Sequence, residues 1–245
     1  MKYLLGLIVL ISFSAFAQTA EHYLLINPKG HKSLIFDMDI DSEGKVVTGS
    51  FDKNTIVWNP KNGRIVKEFK GQIGPGAEGM VYTVDVSPNG KWLAVAGWMG
   101  KDDESENLGD IRIYNYQTGK MRKRLKWHED AVRTVRFSPD SKYLISADAS
   151  GVIVKWEATR FIAETYYTQV NDDVNQIAVS DDYFISSHAD GMIYKWSYDK
   201  FKPVKKLNFF QKVKELVVGT EATISKEGNK VAVSGKILGM VLVLN

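Results

Sequence analysis

The sequence has no cysteine among its 245 residues. That absence excludes a disulfide framework, a thiolate metal site and a cysteine nucleophile. There are only six prolines and no low-complexity tract, which argues against long disordered linkers. The net charge of +3, from 32 basic and 29 acidic residues, is too small to favour a nucleic acid as the partner. The composition therefore indicates a folded chain with one sizeable core.

An apolar run lies at the N-terminus, where Lys2 precedes residues 4–13. The run is too short to span a bilayer, and the small residues of Ala15-Phe16-Ala17 after it are typical of a cleavage site. We interpret residues 1–17 as a secretory signal peptide cleaved after Ala17, with an uncleaved anchor as the alternative. The mature chain, 18–245, is then expected in the periplasm or outside the cell, without stable membrane insertion. The lack of cysteine favours a bacterial envelope protein and excludes a lipid anchor at this site.

A pattern of three short strands and two tight turns recurs along the chain. It is clearest in residues 128–156, where a Ser-Pro-Asp turn separates two alternating runs and a third run ends in a tryptophan. Similar units lie at 35–59, 81–115 and 174–197, and a weaker fifth unit starts at 222. Four units end in an aromatic residue; these residues are Trp58, Tyr114, Trp156 and Trp196. Self-similarity at a period near forty residues predicts a repeat architecture.

These residues resemble the WD-repeat β-propeller family. The Gly-His pair that begins its repeats is present as Gly30-His31, and in altered form as Trp127-His128. The closing Trp-Asp pair of the family is never intact here. The resemblance implies an all-β propeller over 18–245 with about five blades of four antiparallel strands. Residues 22–27 could supply a strand that completes the last blade and closes the ring. Alternatively, the chain is part of a larger propeller, or the fifth unit begins at Val213.

In that family a His, a Ser or Thr, an Asp and a Trp form a hydrogen-bonded network inside each blade. The resemblance assigns complete or partial networks to three units, with these members: His31, Thr48, Asp52 and Trp58 in unit one; His128, Ser146 and Trp156 in unit three; Ser186, Asp190 and Trp196 in unit four. Unit three has Ser150 where the Asp is expected, and unit four lacks the His. We expect these sets to be structural and not catalytic, because pieces of them occur in each repeat. His22 and His188 are interpreted as surface or turn histidines.

The clearest departure from the repeat is in unit two. Residues 97–109 form an insertion between its second and third strands, and a glycine-rich loop, 71–79, precedes the unit. In the family both loops lie on one face of a blade, and long loops on a rigid scaffold are where binding residues concentrate. We predict that this face contacts a partner through five residues of the insertion: Trp98, Met99, Asp102, Asp103 and Glu104. The alternative is that these acidic residues are simply solvated.

The sequence therefore predicts an exported, non-enzymatic scaffold that binds partner proteins through a propeller face, without a cofactor, a metal ion or a nucleic acid. Lysine-rich outer strands fit the protection of exposed sheet edges better than nucleic-acid binding. Two alternatives remain open. One is a propeller hydrolase acting at the central channel, since carboxylates from any two loops can meet there. The other is a fragment of a larger WD-repeat protein.

Overall fold

The computed structural model describes residues 29–71, 74–99, 108–168, 173–208, 220–224, 230–235 and 241–244. Across these ranges the regular secondary structure is all β, with nineteen strands. No helix in the described ranges is long and apolar enough to cross a membrane. The signal peptide, the strand expected at residues 22–27, and Asp102, Asp103 and Glu104 lie outside the described residues, so those predictions stay predictions.

Sixteen of the strands form four antiparallel sheets, each with its strands in chain order, which confirms the fold class. Blade one comprises β1 (Ile35–Ile40), β2 (Val46–Ser50), β3 (Asn54–Asn59) and β4 (Arg64–Lys70). Blade two comprises β5 (Met80–Val86), β6 (Trp92–Trp98), β7 (Gly109–Asn115) and β8 (Met121–His128). Blade three comprises β9 (Val132–Phe137), β10 (Tyr143–Asp148), β11 (Ile153–Glu157) and β12 (Ile162–Tyr167). Blade four comprises β13 (Val174–Val179), β14 (Tyr183–His188), β15 (Met192–Ser197) and β16 (Pro203–Asn208).

The fifth sheet has three strands in the described residues, β17 (Thr220–Ile224), β18 (Val231–Gly235) and β19 (Val241–Leu244). The first strand of each blade packs on the first strand of the next, in the order β1, β5, β9, β13 and β17. These strands are therefore the innermost ones. No packing of that extent joins β17 back to β1 in the described part of the chain.

The turn between the first two strands of a blade explains the recurring Ser-Pro-Asp signature. In blade two the amide of Gly90 donates to the carbonyl of Ser87 at 2.7 Å, and Gly90 has a φ of +66°. Ser141 occupies the same place in blade three with a φ of +60°, and its amide donates to the carbonyl of Ser138 at 2.8 Å. A left-handed backbone conformation has no steric cost for glycine, whereas it introduces some strain at a serine. The hydroxyl of Ser138 accepts the amide of Tyr143 at 3.0 Å, which helps to hold the turn.

The core consists of apolar layers between consecutive blades. One layer joins blades one and two, a second joins blades two and three, and a third joins blades three and four. Blades two and three each present one side of their sheet to the blade before and the other side to the blade after. This is the packing of sheet on sheet that buries alternate residues of both faces.

Blade one lacks a neighbour on its leading side in the described residues. Met38 and Ile40 of β1 point to that side and are 59% and 62% exposed. The residues at the same register in blade three are Val135 and Phe137, which are 0% and 2% exposed. The exposure of Met38 and Ile40 therefore reflects the lack of a packed blade on this side within the described ranges, since both side chains are apolar.

Candidate functional site

The four network residues of blade one lie together. The hydroxyl of Thr48 accepts the Nε1–H of Trp58 at 2.7 Å and is 2.7 Å from Nε2 of His31. Nδ1 of His31 is 2.9 Å from a carboxylate oxygen of Asp52. If Nδ1–H of His31 donates to the carboxylate, the Thr48 hydroxyl donates to Nε2. Each of the four side chains in this network then has a hydrogen-bond partner. The set joins the strand β2, the strand β3 and the entry loop.

Blade three has the same chain of hydrogen bonds, but its acid is Asp148, not Ser150. Asp148 Oδ2 is 2.7 Å from Nδ1 of His128, and Nε2 of His128 is 2.7 Å from the hydroxyl of Ser146. The hydroxyl of Ser150 instead donates to Asp148 Oδ1 at 2.8 Å. The expected position was wrong because Asp148 lies two residues after Ser146 on β10, and strand residues two apart share a face. The network is therefore complete in two blades and not in one.

Blade four corrects two expectations about His188. The residue is fully buried on β14, so it is not a surface or turn histidine, and blade four does not lack an imidazole. Its Nε2 is 2.7 Å from the hydroxyl of Ser186, which also accepts the Nε1–H of Trp196 at 2.8 Å. His188 stands two residues after Ser186, as Asp148 stands after Ser146. Asp190 lies apart from this trio in the turn, where it accepts the amide of Met192 at 2.8 Å.

In blade two apolar packing replaces the polar network. Val95 occupies the register that Ser146 holds in blade three, and Tyr114 occupies that of Trp156. Tyr114 packs edge-on against Phe69 of blade one, with 5.3 Å between the ring centres. A buried polar group needs a partner, and removing the hydroxyl together with the histidine leaves none to satisfy. The networks are thus interior supports whose composition varies from blade to blade.

The insertion of unit two is only partly described. Trp98 ends β6 and is half-buried, and its carbonyl accepts the amide of Gly79 at 2.7 Å. Met99 is fully buried in the layer between blades one and two. Its amide donates to the carbonyl of Leu108 at 2.8 Å. The prediction that Met99 contacts a partner is therefore wrong, whereas Trp98 stays a candidate.

A second set of residues gathers at the mouth of the central channel, and the sequence analysis missed it. Each of the innermost strands β1, β5, β9 and β13 has a β-bulge in its pairing with the next strand of its blade. The bulged residues are Phe36, Tyr82, Arg133 and Asn175. All four line one cavity of about 310 Å³. A bulge re-aims a side chain, and here it turns one residue of each blade toward a common space. We call these four residues the mouth residues.

The mouth residues do leave a sequence signal. Each follows an apolar residue and precedes a polar one, as in Ile35-Phe36-Asp37 and Val132-Arg133-Thr134. The position itself has no preferred type, since it holds two aromatics, an arginine and an asparagine. The scaffold therefore does not require a particular side chain there.

The wall of the mouth combines exposed aromatic surface with a cation. Phe36 is half-exposed although its ring contacts those of Phe51 and Tyr82, at 5.1 Å and 5.4 Å between centres. The guanidinium carbon of Arg133 lies 5.6 Å from the centre of the Tyr82 ring. The Arg133 side chain is 37% exposed, and the nearest oxygen of Asp173 is 3.9 Å away. Aromatic residues and arginine are the types enriched where proteins bind one another.

The floor of the mouth is a buried ion cluster. Nη1 of Arg136 donates to Asp37 Oδ2 at 3.1 Å and lies 3.9 Å from Asp85 Oδ1. The same nitrogen donates to the carbonyl of Val135 at 2.8 Å. Burial raises the pKa of Asp85 well above its ordinary value, and the charge of Arg136 opposes that rise. The cluster is occupied by its own members and joins blades one, two and three.

The carboxylates of the channel also serve the edges of the inner strands. An innermost strand has no partner on its channel side, so its amides need other acceptors. Asp37 accepts the amide of Val84 at 3.1 Å, and Asp85 accepts the amide of Phe137 at 2.6 Å. The hydroxyl of Thr134 accepts the amide of Ile177 at 3.2 Å. Each such bond runs from a side chain of one blade to the backbone of the next, and we call them the inter-blade latches.

The described residues hold no group of three or more His, Asp or Glu side chains that could bind a metal ion. The three histidines of the described ranges, and the channel carboxylates of Asp37 and Asp85, take part in internal hydrogen bonds.

Comparison with known proteins agrees with this geometry. Three segments, 23–59, 63–103 and 119–157, match the family model described as WD domain, G-beta repeat. The chain is 27% identical over 136 residues to WD repeat-containing protein 62 of Sus scrofa, covering 55% of the chain and 8% of that protein. It is 22% identical over 115 residues to cilia- and flagella-associated protein 52 of Homo sapiens, covering 47% of the chain and 16% of that protein.

A third relative is eukaryotic translation initiation factor 3 subunit I of Aspergillus terreus. The identity is 31% over 118 residues, which cover 48% of the chain and 31% of that protein. The chain thus spans less than a third of the length of each of these relatives. The matches support a WD-repeat family, whose members are generally scaffolds for other proteins and not enzymes.

Proposed function

We propose that this WD-repeat β-propeller is an exported, non-enzymatic scaffold that binds a partner protein at the mouth of its central channel. The observation that carries the proposal is the convergence of four bulged residues on one cavity, with a half-exposed phenylalanine and a partly exposed arginine in its wall. A rigid scaffold that presents variable residues at one place is suited to recognition.

The choice of this face is supported by Phe36, because the fold does not require an aromatic residue at its position. Phe36 has exposed aromatic surface, yet Asn175 fills the equivalent position in blade four. The fold therefore tolerates a polar residue there. Part of the Phe36 ring packs on Phe51 and Tyr82, and a binding role accounts for the half that stays exposed.

The experiment is crosslinking of the full chain in cells that produce it, followed by purification and identification of attached proteins. The parent is compared with a Phe36→Ala/Arg133→Ala variant and with a Trp98→Ala/Asp103→Ala variant. As a matched control, Arg160→Ala removes an arginine whose side chain is 74% exposed on an outer turn.

A partner that the parent and the control retain and the mouth variant loses would support the proposal. Loss in the Trp98/Asp103 variant alone would move the site to the insertion of blade two. A partner retained by all variants would contradict both sites.

Export rests on the interpretation of residues 1–17 as a signal peptide. N-terminal sequencing of the protein recovered from producing cells tests it directly. A mature chain that starts at Gln18, in the fraction outside the inner membrane, is the expected result. An intact Met1 on protein in the cytoplasmic fraction would contradict export and leave the mouth site untouched.

A further inference from the structure

The chemistry of the mouth residues narrows the kind of partner, and this step rests on the proposed function. Its aromatic wall is formed by Phe36, Phe51 and Tyr82, whose rings are 5.1–5.4 Å apart between centres. Such a wall offers a surface for an aromatic or large aliphatic side chain, because aromatic contacts and buried apolar area both stabilise a complex.

The cation of the wall is Arg133. Its guanidinium is held over Tyr82, and its ion pair with Asp173 is long, at 3.9 Å, with both side chains more than a third exposed. An exposed pair of that length contributes little. A guanidinium has five N–H donors and binds a carboxylate best through two parallel hydrogen bonds. Arg133 can therefore bind a carboxylate of a partner, and giving up its long ion pair with Asp173 costs little free energy.

The second arginine of the cavity does not compete for that carboxylate. Arg136 donates to Asp37, to the carbonyl of Val135 and to the carbonyl of Val84, and only 18% of its side chain is exposed. Its charge is compensated within the floor by Asp37 and Asp85. The accessible positive charge of the mouth is consequently that of Arg133.

The distances limit the spacing of the two ligand groups. The ring of Tyr82 is 5.4 Å from the ring of Phe36 and 5.6 Å from the guanidinium carbon of Arg133, so Phe36 and Arg133 are both within reach of one short segment. An extended peptide advances about 3.3 Å per residue, so side chains two positions apart lie on one face about 6.6 Å apart. An aromatic and an acidic side chain at that spacing can contact the two ends of this wall at the same time.

We infer that the channel mouth binds an extended peptide segment of a partner protein in which an aromatic residue and an acidic residue stand two positions apart. The aromatic side chain packs on Phe36 and Tyr82, and the carboxylate pairs with Arg133. The segment enters across the ends of the innermost strands.

The test uses a fluorescent peptide with the core Phe-Ser-Glu in a glycine-serine context, measured by fluorescence anisotropy with the full chain. Matched peptides carry Phe-Ser-Lys or Ser-Ser-Glu. We expect the Phe-Ser-Glu peptide to bind at least about tenfold more tightly than either, since an arginine or aromatic contact at the centre of an interface is worth more than about 1.4 kcal/mol.

Charge reversal gives the sharper result. Arg133→Glu should lose the Phe-Ser-Glu peptide and gain the Phe-Ser-Lys peptide, whereas Arg160→Glu should bind as the parent does. Phe36→Ser should weaken the binding of the Phe-Ser-Glu and Phe-Ser-Lys peptides to a similar degree. This second variant keeps the test valid if Arg133→Glu does not fold.

Equal binding of the three peptides by the parent, or no binding of any, would overturn the inference. So would an Arg133→Glu variant with the parent's preference. If the partner in the crosslinking experiment is still lost on substitution at the mouth while the peptides fail, the proposed function stands and only the ligand class is wrong.

Discussion

At the scale of single residues, one hydroxyl decides how a blade holds its tryptophan. In blade three the hydroxyl of Ser146 accepts the indole N–H of Trp156 at 2.8 Å and donates to His128, whose other nitrogen donates to Asp148. All four side chains are at most 3% exposed. A buried donor left without a partner costs about 1–3 kcal/mol. The four-residue network is therefore stable when complete, and removing any one member leaves a buried polar group without its partner.

Asp148→Asn tests the acid at the end of this chain. The amide nitrogen of the variant would face the Nδ1–H of His128, donor against donor, while Oδ1 still accepts the amides of Ser150 and Val152 at 3.0 Å. We expect a loss of about 1–3 kcal/mol in the free energy of unfolding near neutral pH. Urea unfolding measures it. Asp181→Asn, at an exposed turn position, is the control and should change stability by less than about 0.5 kcal/mol.

The contribution of Asp148 to the free energy of unfolding should depend on pH. Burial raises the pKa of Asp148, but the hydrogen bond with His128 and its other donors outweigh burial and hold the pKa below 3.8. The folded state then binds the proton less tightly than the unfolded state. The contribution of Asp148 to stability is complete above 3.8 and is lost as the pH falls through the lowered value. The stability gap between parent and Asp148→Asn should narrow over that range, and a constant gap would contradict the role of the charge.

At the scale of elements, the innermost strands combine two functions. Their bulges turn Phe36, Tyr82, Arg133 and Asn175 toward the mouth, and the residues next to the bulges link the blades. Arg136 is the centre of that linkage, because it connects carboxylates of blades one and two from its place in blade three. The proposed binding surface and the support between blades are thus adjacent in the same strands.

Arg136→Met should destabilise the chain by about 3–5 kcal/mol, because it leaves the buried carboxylate of Asp85 without a compensating charge. Burial disfavours that charge and raises the pKa of Asp85. Adding Asp85→Asn should recover part of the loss, which a double-mutant cycle measures. Arg160→Met, at an exposed position, is the control. Strict additivity of Arg136→Met and Asp85→Asn would show that the two residues do not interact.

At the scale of the whole molecule, the described blades form a series with a different environment at each end. Blades two to four have apolar layers on their leading sides, whereas the leading side of blade one exposes Met38 and Ile40. Apolar side chains that are buried in one repeat and exposed in another give an internal comparison at matched register.

Ile40→Ala and Phe137→Ala make that comparison. Phe137 is 2% exposed, and its truncation should cost about 3–5 kcal/mol of unfolding free energy. Ile40 is 62% exposed, and its truncation should cost well under about 1 kcal/mol. Chemical denaturation of both variants measures the two values. A large cost for Ile40→Ala would show that this side of blade one is covered in solution.

The fold was predictable because its signals are local. Alternation, turn residues and a closing aromatic are repeated within each unit, so the strands of four blades could be placed from sequence. The site residues depend on which way one side chain points. Met99 lies one residue beyond β6, and its side chain turns inward. Asp148 takes the role expected of Ser150 because it lies two residues after Ser146 on β10 and so shares its face. The mouth residues were missed because a bulge breaks the alternation on which such predictions depend.

The inter-blade latches have a direction, and this matters during synthesis. Their acceptors lie on the earlier blade and their donors on the later one, as from Asp37 to Val84 and from Thr134 to Ile177. A polypeptide leaves the ribosome N-terminus first, so each acceptor is already in place when the strand that needs it emerges. The direction of the inter-blade latches is thus compatible with blades that pack in the order of translation. Loss of the first blade would orphan backbone amides of β5, whereas loss of the last would leave only side chains, which water can solvate.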